Sequence, residues 1–102
     1  MNTEEEKILQ LLKGVVDPEL MVNIVDLGLV YDVRLNKSEN KIDVDLTLTS
    51  PECPMGELII EDMNQLITVN YADYKVSVNL VWEPMWTLER LTEKGRAALG
   101  KN

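Results

Sequence analysis

The sequence predicts a single α+β domain over residues 1–102, with a three-stranded mixed sheet and helices packed mainly on one face. Two segments of alternating apolar and polar residues, 29–35 and 42–48, flank a polar turn and predict an antiparallel hairpin. A helical segment and a third alternating segment follow, and this strand–helix–strand connection is typical of a right-handed crossover. With 45 % apolar residues in 102, the chain can form one hydrophobic core.

The first third of the chain predicts a helix followed by a long loop. Residues 3–14 have an apolar stripe behind an acidic first turn, which suits a helix N-terminus, and Gly14 is a plausible stop. The irregular stretch 15–28 contains Asp17-Pro18-Glu19 and Asp26-Leu27-Gly28. Its length is typical of functional loops, and Gly28 is expected to permit a tight backbone conformation.

The remaining elements complete the order α-β-β-α-β-α. A second helix is predicted over 54–70, and a third strand over 75–82 places Trp82 on the core-facing side with Val76, Val78 and Leu80. Residues 87–99 predict a helical tail with a break near Thr92 and a stop at Gly100.

Charge and cysteine content restrict the partners and the compartment. A net charge of −8 repels phosphate backbones and anionic membrane surfaces, so we expect no nucleic-acid and no membrane partner. No apolar run approaches the ~20 residues that span a bilayer, and residues 1–7 lack the apolar core of a signal peptide. One cysteine cannot form an internal disulfide. These features predict a cytoplasmic protein, where thiols stay reduced.

The absence of histidine excludes several kinds of chemistry. Without His, one chain cannot contain a Ser–His or Cys–His catalytic pair or a His-containing zinc site. No CxxC, Walker or dinucleotide-binding motif is present. These absences argue against common enzyme chemistries, and the leading prediction is a protein that is not itself an enzyme.

Cys53 is the main candidate for a functional residue. It lies in Leu48-Thr49-Ser50-Pro51-Glu52-Cys53-Pro54, where a strand is expected to end near Thr49 and Pro54 suits the first helical position. Cys53 would then be at or next to the helix N-cap, where backbone N–H groups favour the thiolate, although Glu52 opposes this effect. The alternative is a small buried hydrophobe.

One thiolate cannot hold iron alone, because iron–sulfur clusters usually require four ligands. Asp17, Glu19 or Asp26 could add a carboxylate, or a homodimer could supply two cysteines. Such an incomplete site favours transient binding of a cluster or of iron, with no tightly bound cofactor.

Other residues are expected to line the site. The Thr49 hydroxyl could donate to the Cys53 sulfur, or could instead form a turn. Trp86, with Met85 beside it, is expected to form a wall of the site or to bind a partner, the alternative being core packing. For Asp17, Glu19 and Asp26 the alternative is capping or turn formation.

Four motifs together resemble a known family: Asp17-Pro18-Glu19, Asp26-Leu27-Gly28-Leu29-Val30, Leu48-Thr49-Ser50-Pro51-Glu52-Cys53-Pro54, and Trp82-Glu83-Pro84-Met85-Trp86-Thr87. This pattern, over nearly the whole chain, resembles the metal–sulfur cluster biosynthetic family that includes the SufT and PaaD proteins. The resemblance implies an iron–sulfur assembly domain, related in fold to the C-terminal domain of NifU. It also implies a role in iron–sulfur protein maturation.

The resemblance extends to particular residues. Cys53 matches the family's reactive cysteine, while Asp17, Glu19, Asp26 and Thr49 match its polar positions. Trp82, Pro84, Trp86 and Thr87 match its tryptophan-rich motif. The chain lacks the CxxC of NifU-type scaffolds and the additional C-terminal cysteines of PaaD members, so its single-domain form looks more like a SufT-type protein.

The sequence leaves three functions open. The leading one is a maturation factor that carries a cluster or iron transiently through Cys53 to client apo-proteins, together with iron–sulfur assembly proteins. The second is an adaptor that joins clients to the assembly machinery without binding metal. The third, a thiol enzyme, is disfavoured because the chain has neither histidine nor a resolving cysteine.

Overall fold

The computed structural model describes residues 1–50 and 55–100 and confirms the order α-β-β-α-β-α. The helices are α1 (Thr3–Leu11), α2 (Gly56–Asn70) and α3 (Glu93–Leu99). The strands are β1 (Val30–Asn36), β2 (Lys41–Leu46) and β3 (Lys75–Leu80), and short 3-10 turns cover Leu12–Gly14 and Leu88–Arg90.

The three strands form the mixed sheet that the sequence predicts, in the spatial order β1-β2-β3. β1 and β2 are antiparallel, with Val33 opposite Val44, whereas β2 and β3 are parallel, with Val44 opposite Val78. Along β2, Ile42, Val44 and Leu46 are fully buried, because the predicted alternation places them on the face that the helices cover. The opposite face of β2 is polar.

The core lies between this apolar face and two helices. α1 packs on β1 and α2 packs on β3. α2 buries a stripe at helical spacing, formed by Ile59, Met63 and Ile67, whereas α1 buries Ile8. Apolar residues of the loop before β1 complete the core: Val15, Val22, Ile24, Leu27 and Leu29. This loop is therefore a structural part of the domain.

The ends of α1 and α3 follow the sequence signals. Asn2 caps α1 in a reciprocal pair of hydrogen bonds with Glu5, and the predicted final turn of this helix tightens into the 3-10 turn that ends at Gly14. The helical tail breaks as predicted, since Thr92 caps α3 by accepting a hydrogen bond from the Gly95 N–H. Gly100 ends α3 with a φ of +73°.

The start of α2 differs from the prediction. Its N-cap is Met55, without a side-chain cap, and its first residue is Gly56. A Cβ on Gly56 would lie 2.7 Å from Cδ1 of Leu48, so the helix begins where its backbone packs directly against the end of the second strand segment. Pro54 and Cys53, which were expected at the first helical position and at or next to the N-cap, lie outside the described residues.

The prediction that Trp82 packs in the core is wrong. β3 ends at Leu80, and the Val81 N–H makes a further sheet bond to the Leu46 carbonyl. Beyond Leu46 the second strand offers no further partner to β3, so the chain leaves the sheet and the alternation stops. Trp82 is consequently 40 % exposed.

Candidate functional site

The candidate site lies at the edge of the sheet where β2 and β3 both end. Because these strands are parallel, their C-terminal ends adjoin, and antiparallel β1 begins at the same edge. The Thr47 N–H donates to the Leu29 carbonyl at 2.8 Å, which continues the β1–β2 pairing past the strand ends. The segments after β2 and after β3 are thereby brought together.

These two segments form a pocket of about 240 Å³, lined by Leu48, Thr49, Trp82, Glu83, Met85 and Trp86. Its walls are mainly apolar, with one hydroxyl and one carboxylate, a composition typical of ligand or peptide sites. The structure thus brings together three of the residues expected at the site, which are Thr49, Met85 and Trp86. Met85 is 77 % exposed and extends into solvent.

Trp86 combines the two roles that the sequence left open. Its indole Nε1 donates a hydrogen bond to the Leu27 carbonyl at 2.7 Å, and the residue is half-buried against the core. It also lines the pocket. A hydrogen bond to backbone fixes the indole, so Trp86 presents a rigid wall to the pocket.

Tyr31 and Arg90 hold the tryptophan-containing segment in place, a role that sequence reasoning missed. The Tyr31 hydroxyl donates to the Pro84 carbonyl at 2.7 Å, and the Arg90 guanidinium lies 4.3 Å from the centre of the Tyr31 ring. The sequence signal was a tyrosine at an alternating strand position in a chain that has no Phe. Its hydroxyl implied a partner, but the sequence did not identify that partner.

Gly28 has the tight backbone conformation that was expected, with a φ of +75°. A Cβ at this position would overlap the Arg90 carbonyl oxygen. Glycine therefore serves two purposes, since it adopts the left-handed region and lets the segment around Arg90 approach the backbone.

Asp26 joins the first loop to the third helix. Its carboxylate accepts hydrogen bonds from the Asn23 amide (2.7 Å) and from the Thr92 hydroxyl (2.8 Å). Burial by itself raises the pKa of Asp26, but these hydrogen bonds to the charged form outweigh it, and the pKa lies below the ordinary 3.8. Asp26 does not line the pocket, although neighbouring Leu27 contacts Trp86.

Asp17 and Glu19 lie in a separate turn of the first loop. Asp17 is only 3 % exposed, and its carboxylate accepts hydrogen bonds from the N–H groups of Glu19 (2.8 Å) and Leu20 (3.1 Å). The turn is closed by a bond from the Met21 N–H to the Asp17 carbonyl. Turn formation, the alternative considered for these carboxylates, accounts for the Asp17 contacts, and neither residue lines the pocket.

Within residues 1–50 and 55–100, no group of three or more acidic, cysteine or histidine side chains could hold a metal ion. In the same part of the chain the hydroxyl of buried Thr47, at the site edge, has no hydrogen-bond partner. Cys53 and Pro54 lie outside this part. None of the described helices is both long enough and apolar enough to cross a membrane.

Residues 5–80 match the family model described as "Iron-sulfur cluster assembly protein", and the chain belongs to this family. The resemblance inferred from the four motifs is thereby confirmed.

Relatives of similar length support this assignment. The chain is 42 % identical over 86 residues to the Fe-S protein maturation auxiliary factor SufT of Staphylococcus aureus, covering 84 % of this chain and 97 % of the relative. It is 36 % identical over 104 residues to an Fe-S protein maturation auxiliary factor of Porphyromonas gingivalis, covering 98 % of both. Its fold is similar to a crystal structure of a domain of unknown function, DUF59, from Bacillus anthracis. That match has a TM-score of 0.88 and 39 % identity, and covers 96 % of this chain and 92 % of the other.

Proposed function

We propose that this chain is a cytoplasmic, non-enzymatic maturation factor that holds iron or an iron–sulfur cluster transiently through Cys53 and passes it to client apo-proteins. The observation that carries the proposal is the pocket at the ends of β2 and β3. In the sequence, Cys53 follows the pocket residue Thr49 by four positions and precedes the α2 cap, Met55, by two. Family membership and the names of the relatives support the same role.

The contacts of the acidic residues explain why binding would be transient. The Asp17 and Asp26 carboxylates are engaged by N–H groups, an amide and a hydroxyl, and would have to give up those bonds to bind iron. The ligands beside Cys53 would then come from a client or a small thiol. A cargo held by one thiolate of the carrier can be displaced by client thiolates.

The pocket residues supply the surroundings of this exchange. Thr49 offers a hydroxyl that can donate to a thiolate, and such hydrogen bonds tune sulfur ligands. Trp86 and Met85 provide apolar surface that limits access of water to a bound cluster. Cys53, Thr49, Trp86 and Met85 thus form the proposed site, with Pro54 as the residue that follows the thiol.

Anaerobic reconstitution with iron and sulfide tests the proposal. We expect wild type to gain sulfur-to-iron absorbance and to activate an apo-protein, and Cys53→Ser to lose both. Thr49→Val should bind but release the cargo at an altered rate, whereas Thr68→Val on α2 is a matched control. Equal absorbance and equal transfer by wild type and Cys53→Ser would contradict the proposal.

An adaptor that joins clients to the assembly proteins is the second candidate, favoured by the exposed apolar side chains at the pocket. Met85 and Trp82 are 77 % and 40 % exposed, which suits contact residues at a protein interface. Met85→Ala should weaken client binding at least tenfold, while Val69→Ala, a 73 % exposed residue on α2, should not. Two results together would favour the adaptor over the carrier. Wild type would take up no metal, and Cys53→Ser would still bind the client.

A further inference from the structure

The two edges of the sheet differ in how they are protected. At the β1 edge, the Leu35 N–H donates to the Glu5 carboxylate of α1 at 2.9 Å. A register irregularity interrupts β1 between Val30 and Asp32, and the ion pair of Arg34 with Asp32 lies on the same strand. Bulges, charges and covering elements are the devices that prevent strand addition. The β1 edge is therefore protected.

At the β3 edge, backbone groups point away from the rest of the sheet. The N–H groups of Lys75 and Val81 bond to carbonyls on the β2 side, so the odd-numbered residues of β3 face β2. Successive residues of a strand point their backbone groups to opposite sides, and Val76, Val78 and Leu80 therefore face the open edge. No described residue forms a strand beside them.

β3 also lacks the usual protection of an edge strand. It contains no proline, its pairing with β2 is regular from Lys41–Lys75 to Leu46–Leu80, and its single charge is Lys75. Leu80 is 40 % exposed at its end. A regular, nearly uncharged edge is a template for another strand.

We propose that β3 pairs antiparallel with β3 of a second copy of this chain, joining the two sheets into one. The choice of a second copy as the partner of this edge rests on the net charge of the chain. Two copies that each carry −8 repel one another, so a contact between them is least unfavourable where the paired strands carry no acidic residue. β3 is such a strand, because Lys75–Leu80 contains one lysine and no acidic residue.

One register makes the edge complementary to itself. With Asn79 on the two-fold axis, Val78 lies opposite Leu80 of the other copy, and these open-edge residues exchange backbone hydrogen bonds. Lys75 of each copy then lies past Leu80 of the other, beside the segment that carries Glu83, twice in the dimer. Opposite charges facing each other across strands are stabilising, whereas like charges are destabilising.

This dimer keeps the two pockets apart. Trp82 lies three residues from Asn79, so the two Trp82 backbones would be separated by about 20 Å along the strand direction, at about 3.3 Å per residue. Each copy therefore retains its own site, and the dimer forms without iron. The inference does not depend on the proposed function.

Light scattering on a sizing column, with metal-free protein, tests the pairing. Wild type should have about twice the monomer mass of 11.6 kDa. Leu80→Pro removes an N–H that faces away from β2, and should raise the dimer dissociation constant about tenfold or more, because two intermolecular hydrogen bonds are lost. Leu80→Ala keeps the N–H and is the matched control, with far-UV circular dichroism as the check of folding.

Charge exchange distinguishes a second copy from any other occupant. Lys75→Glu and Glu83→Lys should each weaken the dimer, and the double variant should restore it, because each copy supplies both members of the pair. If the protein has the monomer mass at every concentration tested, the proposal is wrong, and a strand of another protein would be the remaining partner for this edge. A dimer that resists Leu80→Pro, or one that forms only with iron, would also overturn it.

Discussion

Replacing Gly28 with alanine tests how the tryptophan-containing segment is held at the site. Gly28 has a φ of +75°, and the left-handed conformation costs an alanine about 1–2 kcal/mol. Its Cβ would also overlap the Arg90 carbonyl oxygen, which is backbone and cannot rotate away. Such overpacking costs about 1–3 kcal/mol. The free energy of unfolding should therefore fall by about 2–5 kcal/mol.

Two other glycines separate these contributions. Gly100 has a φ of +73°, and a Cβ added there would have no neighbour within 4 Å, so only the conformational cost applies. Gly100→Ala should accordingly lower the free energy of unfolding by at most about 1–2 kcal/mol. Gly95 lies in α3, where a Cβ would overlap the Asp26 carbonyl oxygen. Because Gly95 is helical, Gly95→Ala measures the cost of this overlap without the cost of a left-handed conformation. The helix preference for alanine offsets about 1 kcal/mol of that contact.

Urea unfolding followed by far-UV circular dichroism measures the three free energies. In a Trp82→Phe background, fluorescence reports on Trp86 alone. Its indole is held by the carbonyl of Leu27, next to Gly28, so Gly28→Ala should increase its quenching by acrylamide. If Gly28→Ala destabilises the protein no more than Gly100→Ala does, the contact with Arg90 contributes nothing and the reasoning is refuted.

Three further predictions concern hydrogen bonds and charge. Trp86→Phe leaves a partly buried carbonyl without its donor and should lower the free energy of unfolding by about 1–3 kcal/mol, whereas Trp82→Phe at an exposed position should change it by less than about 0.5 kcal/mol. The folded-state pKa of Asp26 is below 3.8, so its stabilising effect is fully present above pH ~4 and is lost as pH falls through that lower value. The stability difference between wild type and Asp26→Asn, from urea unfolding, should accordingly shrink below pH ~4, and a constant difference would contradict this assignment. On the open sheet face Arg34 makes two bonds to Asp45 and lowers the pKa of that carboxyl, yet exposure should limit the cost of Arg34→Ala to about 1 kcal/mol, decreasing in high salt.

The fold was largely predictable because its signals are local. Alternation in β2 and helical spacing in α2 set which side chains are buried, and a polar turn joined β1 to β2. Thr92 and Gly100 also acted locally, as the cap and the stop of α3. Trp82 misled the prediction because alternation indicates a face and does not reveal where the neighbouring strand ends.

The site was less predictable because its contacts join distant parts of the chain. The Trp86 indole binds a carbonyl 59 residues away, and Asp26 binds a hydroxyl 66 residues away. The sequence indicated Trp86 and Asp26 as candidate site residues, but it did not identify their hydrogen-bond partners. It also treated Asp17, Glu19 and Asp26 as one group, whereas the structure places Asp17 and Asp26 in separate hydrogen-bonding networks.

The sequence by itself determined the order of the elements and limited the chemistry that one chain can perform. One cysteine and no histidine exclude a Cys–His or Ser–His pair, a His-containing zinc site and an internal disulfide within one chain, and periodicity is a property of neighbouring residues. The tertiary structure decided which strand lies at an open edge and which segments meet at the ends of β2 and β3. Those outcomes depend on pairing across the sheet, where parallel β2 and β3 bring residues from both halves of the chain to one edge.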